Sequence, residues 1–214
     1  MNSTGENSGL EKISLAEALQ WDFFSRISDR QELKNLANHN PGLTIYKAVL
    51  HYQREHFMFM YNRPHRRGEI VFMLENTHND VLLHTKPFFP NGVYRLLSGG
   101  INMGEAVAET LHREVYEETG FHVDNGQCIA LIFFIIKHES LSMPFLTFLY
   151  RCNGITGEPV VHDHSENISG FRWVAYNELN HVYRQLLELP EDWKDWGVFR
   201  ALPHKIFYDI LCNC

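Results

Sequence analysis

Glu105, Arg113, Glu114, Glu117 and Glu118 have the types and spacing to do chemistry, and all lie in the segment GGINMGEAVAETLHREVYEETGF from Gly99 to Phe121. At about 100° per residue in a helix, Glu114, Glu117 and Glu118 stand at i, i+3 and i+4 and project from one strip. Like charges at that spacing destabilise an isolated helix by roughly 0.2–0.5 kcal/mol per pair, so the acidic row is a net cost unless a cation offsets it. Clustered carboxylate oxygens suit a hard cation, which makes Mg²⁺ the expected metal and Mn²⁺ a substitute. Arg113, four residues before Glu117, can orient a carboxylate through a forked pair of hydrogen bonds. The competing reading of the same residues is a solvated face of an ordinary amphipathic helix.

The elements that position this row can be read outward from it. Val107, Leu111 and Val115 run beside the carboxylates and place them at the edge of a buried face, in a cleft. Gly104-Glu105 is expected to begin the helix, and Gly120 to end it as a left-handed cap. Gly99-Gly100 lets the backbone come close to a metal or phosphate with no side chain in the way. Upstream, strands are expected over Thr44 to Tyr52, Glu69 to Glu75, Val81 to Lys86 and Val93 to Leu97, with turns at Asn76 to Asp80 and Asn91-Gly92. Downstream, Gln127 to Lys137 and Phe145 to Cys152 read as strands, the first so apolar that both its faces must be covered. Asn153 to Gly157 is a turn, Gly170 to Val174 a short strand and Asn177 to Leu189 a helix that stops at Pro190. A last helix is expected after Pro203.

Ahead of these, residues 1 to 9 are polar and read as disordered. Ser14 to Glu17 forms a capping-box pattern before the apolar stripe Leu15, Leu19, Phe23 and Ile27, and Asp29 with Glu32 repeats the signal for a second short helix. The reading is a helical extension over residues 1–40, a boundary near Pro41, and one catalytic domain over 41–214.

The Gly99 to Phe121 segment fills every position of the Nudix box, and the chain is identified as a member of the Nudix hydrolase superfamily. The resemblance covers roughly Leu43 to Leu189, including FRWVAYNEL in the later half. It implies an α/β fold, an α/β/α sandwich around a mixed sheet, to which the helical extension is added. It also implies hydrolysis of nucleoside diphosphates linked to another moiety, by in-line attack of an activated water while Mg²⁺ offsets charge on the departing phosphate. On that resemblance Glu114 and Glu118 are the principal metal ligands, Glu117 shares the task, and a backbone carbonyl near Ser98 or Gly99 joins them. A further carboxylate, as base or ligand, is expected from a loop before the strand containing Trp173. Glu166 is the choice there, with Glu158 and Asp163 as rivals and Glu139 if an earlier loop serves.

The 214 residues, 44% hydrophobic and 21% charged, suffice for one core with extensions. A net charge of -7 argues against a phosphate-tracking surface, so a small nucleotide is the expected partner and long nucleic acid is not. Cys128, Cys152, Cys212 and Cys214 show no CxxC pairing and read as reduced thiols. With no apolar leader and no run long enough to span a bilayer, the expected location is cytoplasmic and off the membrane. The N-terminal stripe needs a partner, and a homodimer is one way to supply it.

Substrate choice rests on weaker signals. Lys86 and Arg95 precede the box on expected strands and are the leading phosphate-binding candidates, ahead of the Arg63, His65, Arg66, Arg67 cluster. Phe88, Phe89 and Tyr94 could stack on a base. The SQPWPFPxS run of NADH-type members is missing, as is the coenzyme A signature. TKPFFPNGVYRLLSGG loosely resembles the approach in ADP-ribose pyrophosphatases, although Arg95 stands where a glutamate is common. ADP-ribose or a nucleotide sugar is ranked first, a nucleoside triphosphate or dinucleoside polyphosphate second, and an RNA end third. A ligand-binding Nudix module without turnover is the alternative of another class. His162-Asp163-His164 could place two imidazoles together, but no third ligand of matching spacing accompanies them.

Overall fold

Side chains of the central strands alternate between two cores, and this alternation fixes the architecture. In β3 (Arg66–Asn76) Val71 and Met73 face one core while Ile70, Phe72 and Leu74 face the other; in β6 (Gln127–His138) Ala130, Ile132 and Phe134 oppose Leu131 and Phe133. A strand buried on both faces reads as a continuous apolar run because each face needs its own covering layer. The computed structural model describes residues 9–21, 30–55, 57, 65–124 and 126–212.

The remaining elements are β1 (Leu10–Ile13), α1 (Leu15–Ala18), α2 (Arg30–His39), β2 (Thr44–His51), β4 (Asp80–Thr85), β5 (Leu97–Asn102), α3 (Val107–Thr119), β7 (Leu141–Ile155), β8 (Gly170–Ala175), α4 (Glu178–Leu187) and α5 (Lys194–Cys212). The strands run in the order β1-β2-β6-β7-β3-β4-β8, with β5 paired to β3. β2 is parallel to β6 and β3 to β7, while the other pairs are antiparallel, so the sheet is mixed. Leu179, Val182 and Leu186 of α4 and Trp196, Phe199 and Phe207 of α5 cover one face. Leu33 of α2 and Val107, Leu111 and Val115 of α3 cover the other. Each such side chain contributes about 1.5–3 kcal/mol by leaving water, so both layers are held by burial far more than by ion pairs at the rim. The result is the expected α/β/α sandwich.

Several elements differ from the sequence reading, each for a physical reason. The expected strand Val93 to Leu97 is displaced: the strand is Leu97–Asn102, and only a single bridge, His84 to Arg95, forms before it. Pairing with β3, from Arg66↔Asn102 to Phe72↔Leu97, outweighed local β-propensity. The box helix begins at Val107 and not at Gly104-Glu105, because Glu105 is turned back to accept hydrogen bonds from Asn102 and Arg113. Ala106 is its N-cap, and Glu109 accepts from the Ala106 N–H. Pro203 lies inside α5 rather than before it; it is buried, where its ring adds apolar area to the core.

The N-terminal segment, expected to be helical, contains a strand, since β1 pairs antiparallel with β2 from Leu10↔Ala48 to Ile13↔Ile45. Ser14 Oγ accepts from Glu17 N–H at 3.1 Å as the capping pattern requires, and α1 covers Leu15–Ala18. Leu15 and Leu19 pack on the chain's own second core, which supplies the partner for that half of the stripe. Phe23, Ile27, Asp29 and most of residues 1 to 9 fall outside the described residues. No helix among the described residues is long and apolar enough to cross a membrane.

Candidate active site

The box carboxylates are placed by the amphipathic pattern of α3. Val107, Leu111 and Val115 bury the inner stripe, and this draws Glu114 (4% exposed) and Glu118 (0%) in behind it. Gly120, at φ 72°, ends the helix in the left-handed region, its N–H donating to the Tyr116 carbonyl at 2.8 Å. The C-terminal carbonyls of α3 then anchor the following loop: His162 and Asp163 N–H donate to Glu117 O at 3.0 and 2.9 Å, and Val160 N–H to Thr119 O at 2.8 Å. His162 also stacks on Tyr116, with ring centroids 4.5 Å apart. In this way the box helix positions the loop that carries Glu166.

Arg113 is the hub of the outer acids. Its guanidinium donates to Glu105 at 2.7 and 2.9 Å, to Glu114 at 2.7 Å, to Glu117 at 3.0 Å and to the Gly100 carbonyl at 3.1 Å. Hydrogen bonds from Arg113 hold Glu105 down at a pKa of about 2. Glu114 goes the other way: burial outweighs the Arg113 charge and raises it to about 7. Burial likewise raises Glu118, the nearby Lys86 opposing it and Glu114 adding to it. Both Glu118 oxygens are buried with no hydrogen-bond partner among the described residues, and Lys86 Nζ approaches Oε1 at 3.9 Å.

Lys86 connects Glu118 to Glu166. Its ammonium donates to Glu166 Oε2 at 2.8 Å, from the end of β4 across to the short helical turn His164–Glu166. Of the rival acids, Asp163 caps that turn by accepting from Ser165 N–H, and Glu139 sits at the β6–β7 hairpin with φ 49°. Neither Glu139, Glu158 nor Asp163 lines the cleft, whereas Glu166 and Glu114 do.

The cleft has a volume of about 320 Å³. Arg66, Lys86, Arg95 and Arg200 bring four cations to it. Arg66 lies along Gly100, where an added Cβ would stand 2.3 Å from its Nε. Arg95 donates to Ser98 Oγ at 3.0 Å and stands over the Phe89 ring. Arg200 of α5 pairs with Glu69 at 2.9 Å. Phe88 and Phe89 also line it, but Tyr94 does not and instead lies under Arg172. Among the described residues of the basic cluster, Arg66 lines the cleft, whereas His65 does not and Arg67 turns to Glu32; Arg63 is outside the described residues.

Glu69, Trp196 and Arg200 escaped the sequence reading. Arg200 and Trp196 lie far beyond the box in sequence, in a stretch ahead of the helix expected after Pro203, and only the packing of α5 brings them back. Under the cleft, His204 of α5 accepts the Leu96 N–H at Nε2 (3.0 Å) and its Nδ1 donates to the Arg200 carbonyl (2.9 Å), which fixes its tautomer and ties α5 to the chain ahead of β5.

Burial pulls His204 down to about 3 and His84 well below the ordinary value, with Arg95 and Arg200 adding to both and Lys86 to His84. An unfolded chain protonates these imidazoles near pH 6.5, before the folded one does, so the stability they support is complete above about 6.5 and falls as pH drops below it. Each histidine removes about 1.4 kcal/mol per pH unit in that window. Burial raises Glu114 and Glu118, which favours the fold as pH drops over the same range, so the loss is read as a difference. The stability of wild type relative to His204→Gln, from urea unfolding at pH 7.5, 6 and 5, should fall with pH, and His204→Gln should reduce proton uptake on unfolding by about one below pH 6. A difference that stays constant with pH would contradict it.

The donor set fits a hard cation. Glu118 presents two orphaned buried oxygens, Glu114 lies beside it, and Gly99 leaves room that a side chain would fill, since a Cβ there would stand 1.9 Å from Glu114 Cδ. Among the described residues no three His, Cys, Asp or Glu side chains form a metal-holding group, and Glu114 and Glu117 are engaged by Arg113. The three acids share one strip of α3, as their spacing requires, but they divide between two basic partners.

A family model for the NUDIX domain matches residues 64–200. The chain is similar to the mitochondrial NAD(P)H pyrophosphatase NUDT13 of Mus musculus, 43% identical over 118 residues, covering 54% of this chain and 32% of that protein. It is similar also to the NAD-capped RNA hydrolase NudC of Vibrio parahaemolyticus, 43% identical over 55 residues, or 26% of this chain and 21% of that one. The chain thus matches a third or less of the length of these relatives. The crystal structure of a MutT NUDIX hydrolase from Burkholderia pseudomallei aligns with 63% of this chain and 96% of its own, at 17% identity and a TM-score of 0.43. With the family model matching well over half of its length, and with the box glutamates gathered on one helix beside a cationic cleft, the chain belongs to the Nudix hydrolase superfamily.

Proposed function

We propose that the protein is a divalent-metal-dependent pyrophosphohydrolase that cleaves the diphosphate of a nucleoside diphosphate linked to a second moiety. The observation that carries this reading is Glu118, a fully buried carboxylate with neither oxygen hydrogen-bonded and only a long 3.9 Å approach from Lys86, directly behind the Lys86–Glu166 pair at the cleft. A buried carboxylate without hydrogen bonds is costly, and a hard cation is a partner that offsets it. Glu114, Glu117 and Glu118, with the Gly99 carbonyl, would hold the metal, for which Mg²⁺ is preferred and Mn²⁺ can substitute. When bound, it supplies charge neutralisation at the diphosphate and acidifies water.

The chain's own residues do the rest. Lys86, Arg66 and Arg95 hold and orient phosphate oxygens, with Arg66 the most exposed of the three. Arg113 orients Glu114 and Glu117. Water oxygen attacks one phosphorus, the bridging P–O bond breaks, and Glu166 accepts the water proton; Lys86 at 2.8 Å keeps that carboxylate aimed into the cleft. Phe88, 56% exposed at the mouth, offers a face to a base. Glu166→Gln is expected to lower kcat by tenfold or more with little change in KM, as general-base losses do. Steady-state kinetics check this, and unchanged kcat would move the base elsewhere.

For the substrate, the relatives' names bring NAD(P)H and NAD-capped RNA alongside the ADP-ribose ranked first on sequence. These compounds share an adenosine 5′-diphosphate, and we propose that feature as the recognised class. The test is a panel of NADH, ADP-ribose, a nucleotide sugar, a dinucleoside polyphosphate, a nucleoside triphosphate and an NAD-capped RNA, each with and without Mg²⁺. Metal-dependent release of AMP from the adenosine diphosphate compounds supports the proposal. Binding without turnover of any compound would instead mark a ligand-binding module, and preference for the triphosphate would overturn the substrate class. The free buried thiols of Cys128 and Cys152, raised by burial, suit a reducing compartment, and we propose the cytoplasm.

A further inference from the structure

We infer that α2, which lies outside the matched domain, sets the position of the box carboxylates through Arg67, so that Glu32 and Arg67 are positioning residues for the site. This rests on reading Glu114, Glu117 and Glu118 as the metal-binding groups. The connection is continuous in hydrogen bonds. Arg67 on β3 donates through Nη1 and Nη2 to the two carboxylate oxygens of Glu32, each at 2.8 Å, and through Nη2 to the Glu105 carbonyl, also at 2.8 Å. Glu105 turns its own carboxylate to Arg113, which in turn reaches Glu114 and Glu117. One residue of the box loop is therefore held at its backbone by one guanidinium and at its side chain by another.

Three features make this a positioning device rather than an incidental surface pair. The Arg67 side chain is only 10% exposed, and its fork binds Glu32 bidentately, a geometry that a lysine cannot reproduce. α2 has a separate anchor in Leu33, fully buried in the second core, so loss of the ion pair leaves the helix in place. Beyond Arg67 an open groove of about 590 Å³, lined by Asn35, Leu36 and His39 of α2 and by Val107, Leu111 and His112 of α3, separates the two helices. The Arg67 fork is thus a direct polar link from α2 to the loop that starts the box helix.

The test measures Mn²⁺ binding to the full chain by the electron spin resonance of free Mn²⁺, together with kcat, KM and urea stability, for Glu32→Gln and Arg67→Lys. Glu11→Gln is the control: Glu11 lies on β1 in the same N-terminal segment and pairs with Lys47 at 3.3 Å on an exposed edge. Both test variants should weaken Mn²⁺ binding about three- to tenfold, somewhat less than the 10- to 100-fold typical when a direct partner of a ligand is lost, and lower kcat in step. KM at saturating metal should stay unchanged, and Glu11→Gln should match wild type in every measure. Mn²⁺ affinity and kcat within twofold of wild type in both variants, or an equal loss in Glu11→Gln, would overturn the inference. Wild-type protein that binds no Mn²⁺ would overturn the box reading itself, an outcome visible before any variant is compared.

Discussion

Glu118→Gln should lose metal-dependent turnover by on the order of a hundredfold or more, the scale of removing a group that helps offset transition-state charge. It should do so without loss of stability in the metal-free protein. In wild type the Glu118 carboxyl is 0% exposed and neither oxygen is hydrogen-bonded, so burial disfavours its charged form and folding without metal costs either an unsolvated charge or the uptake of a proton. Glutamine keeps the shape and removes the charge, while Lys86 retains Glu166 at 2.8 Å. Thermal melts in EDTA should therefore place the variant at or above wild type. Added Mg²⁺ should raise the melting temperature of wild type but not of the variant, because a ligand stabilises only the state that binds it. Full activity in Glu118→Gln, or a clear drop in its metal-free melting temperature, would contradict this account.

Gly99→Ala should be nearly as damaging, by a steric route that changes the charge of no residue. A Cβ at Gly99 would stand 1.9 Å from Glu114 Cδ and 2.2 Å from Oε2, distances at which the carboxylate must move. Glu114 is 4% exposed and bounded by Arg113, so displacement sacrifices both its place and its 2.7 Å ion pair. Overpacking of this kind costs about 1–3 kcal/mol, and a ligand moved by an ångström costs about 100-fold in rate. A second substitution separates the two effects: Glu114→Ala added to Gly99→Ala should restore the urea midpoint without restoring turnover. Failure of that double variant to regain stability would place the strain elsewhere than at Glu114.

The parts of the fold legible in sequence were those with strong local signals. The uniform apolar run from Cys128 to Ile136 required covering layers on both faces, and two are present. The Gly120 cap, the Ser14 cap and the α4 stop before Pro190 were readable because each depends on residues close to one another in the chain. The start of β5 was not, since Val93 to Leu96 has as much strand propensity as Leu97–Asn102; the choice was made by β3, upstream beyond the whole of β4, whose register leaves room for glycines beside Glu114. β1 was illegible for the same reason: so short a segment carries little pattern of its own, and it forms a strand because β2 offers an edge.

In the site, the sequence by itself determined the acids of the box, their shared strip on one helix and the hard-cation chemistry they suit, because helical periodicity turns spacing directly into direction. It also nominated Lys86 and Arg95 ahead of the box and Glu166 well beyond it, but it had no means to show that Lys86 bridges toward both Glu118 and Glu166. Tertiary structure alone decided that Glu117 and Glu114 lean on Arg113 while Glu118 is sealed beneath Lys86, that Arg200 and Trp196 return from the C-terminal helix to the cleft, and that Arg67 turns away from it to bind α2. The physical reason is range: helix periodicity and capping act between near neighbours in the chain, whereas burial and ion pairing depend on which distant surfaces the sheet brings together.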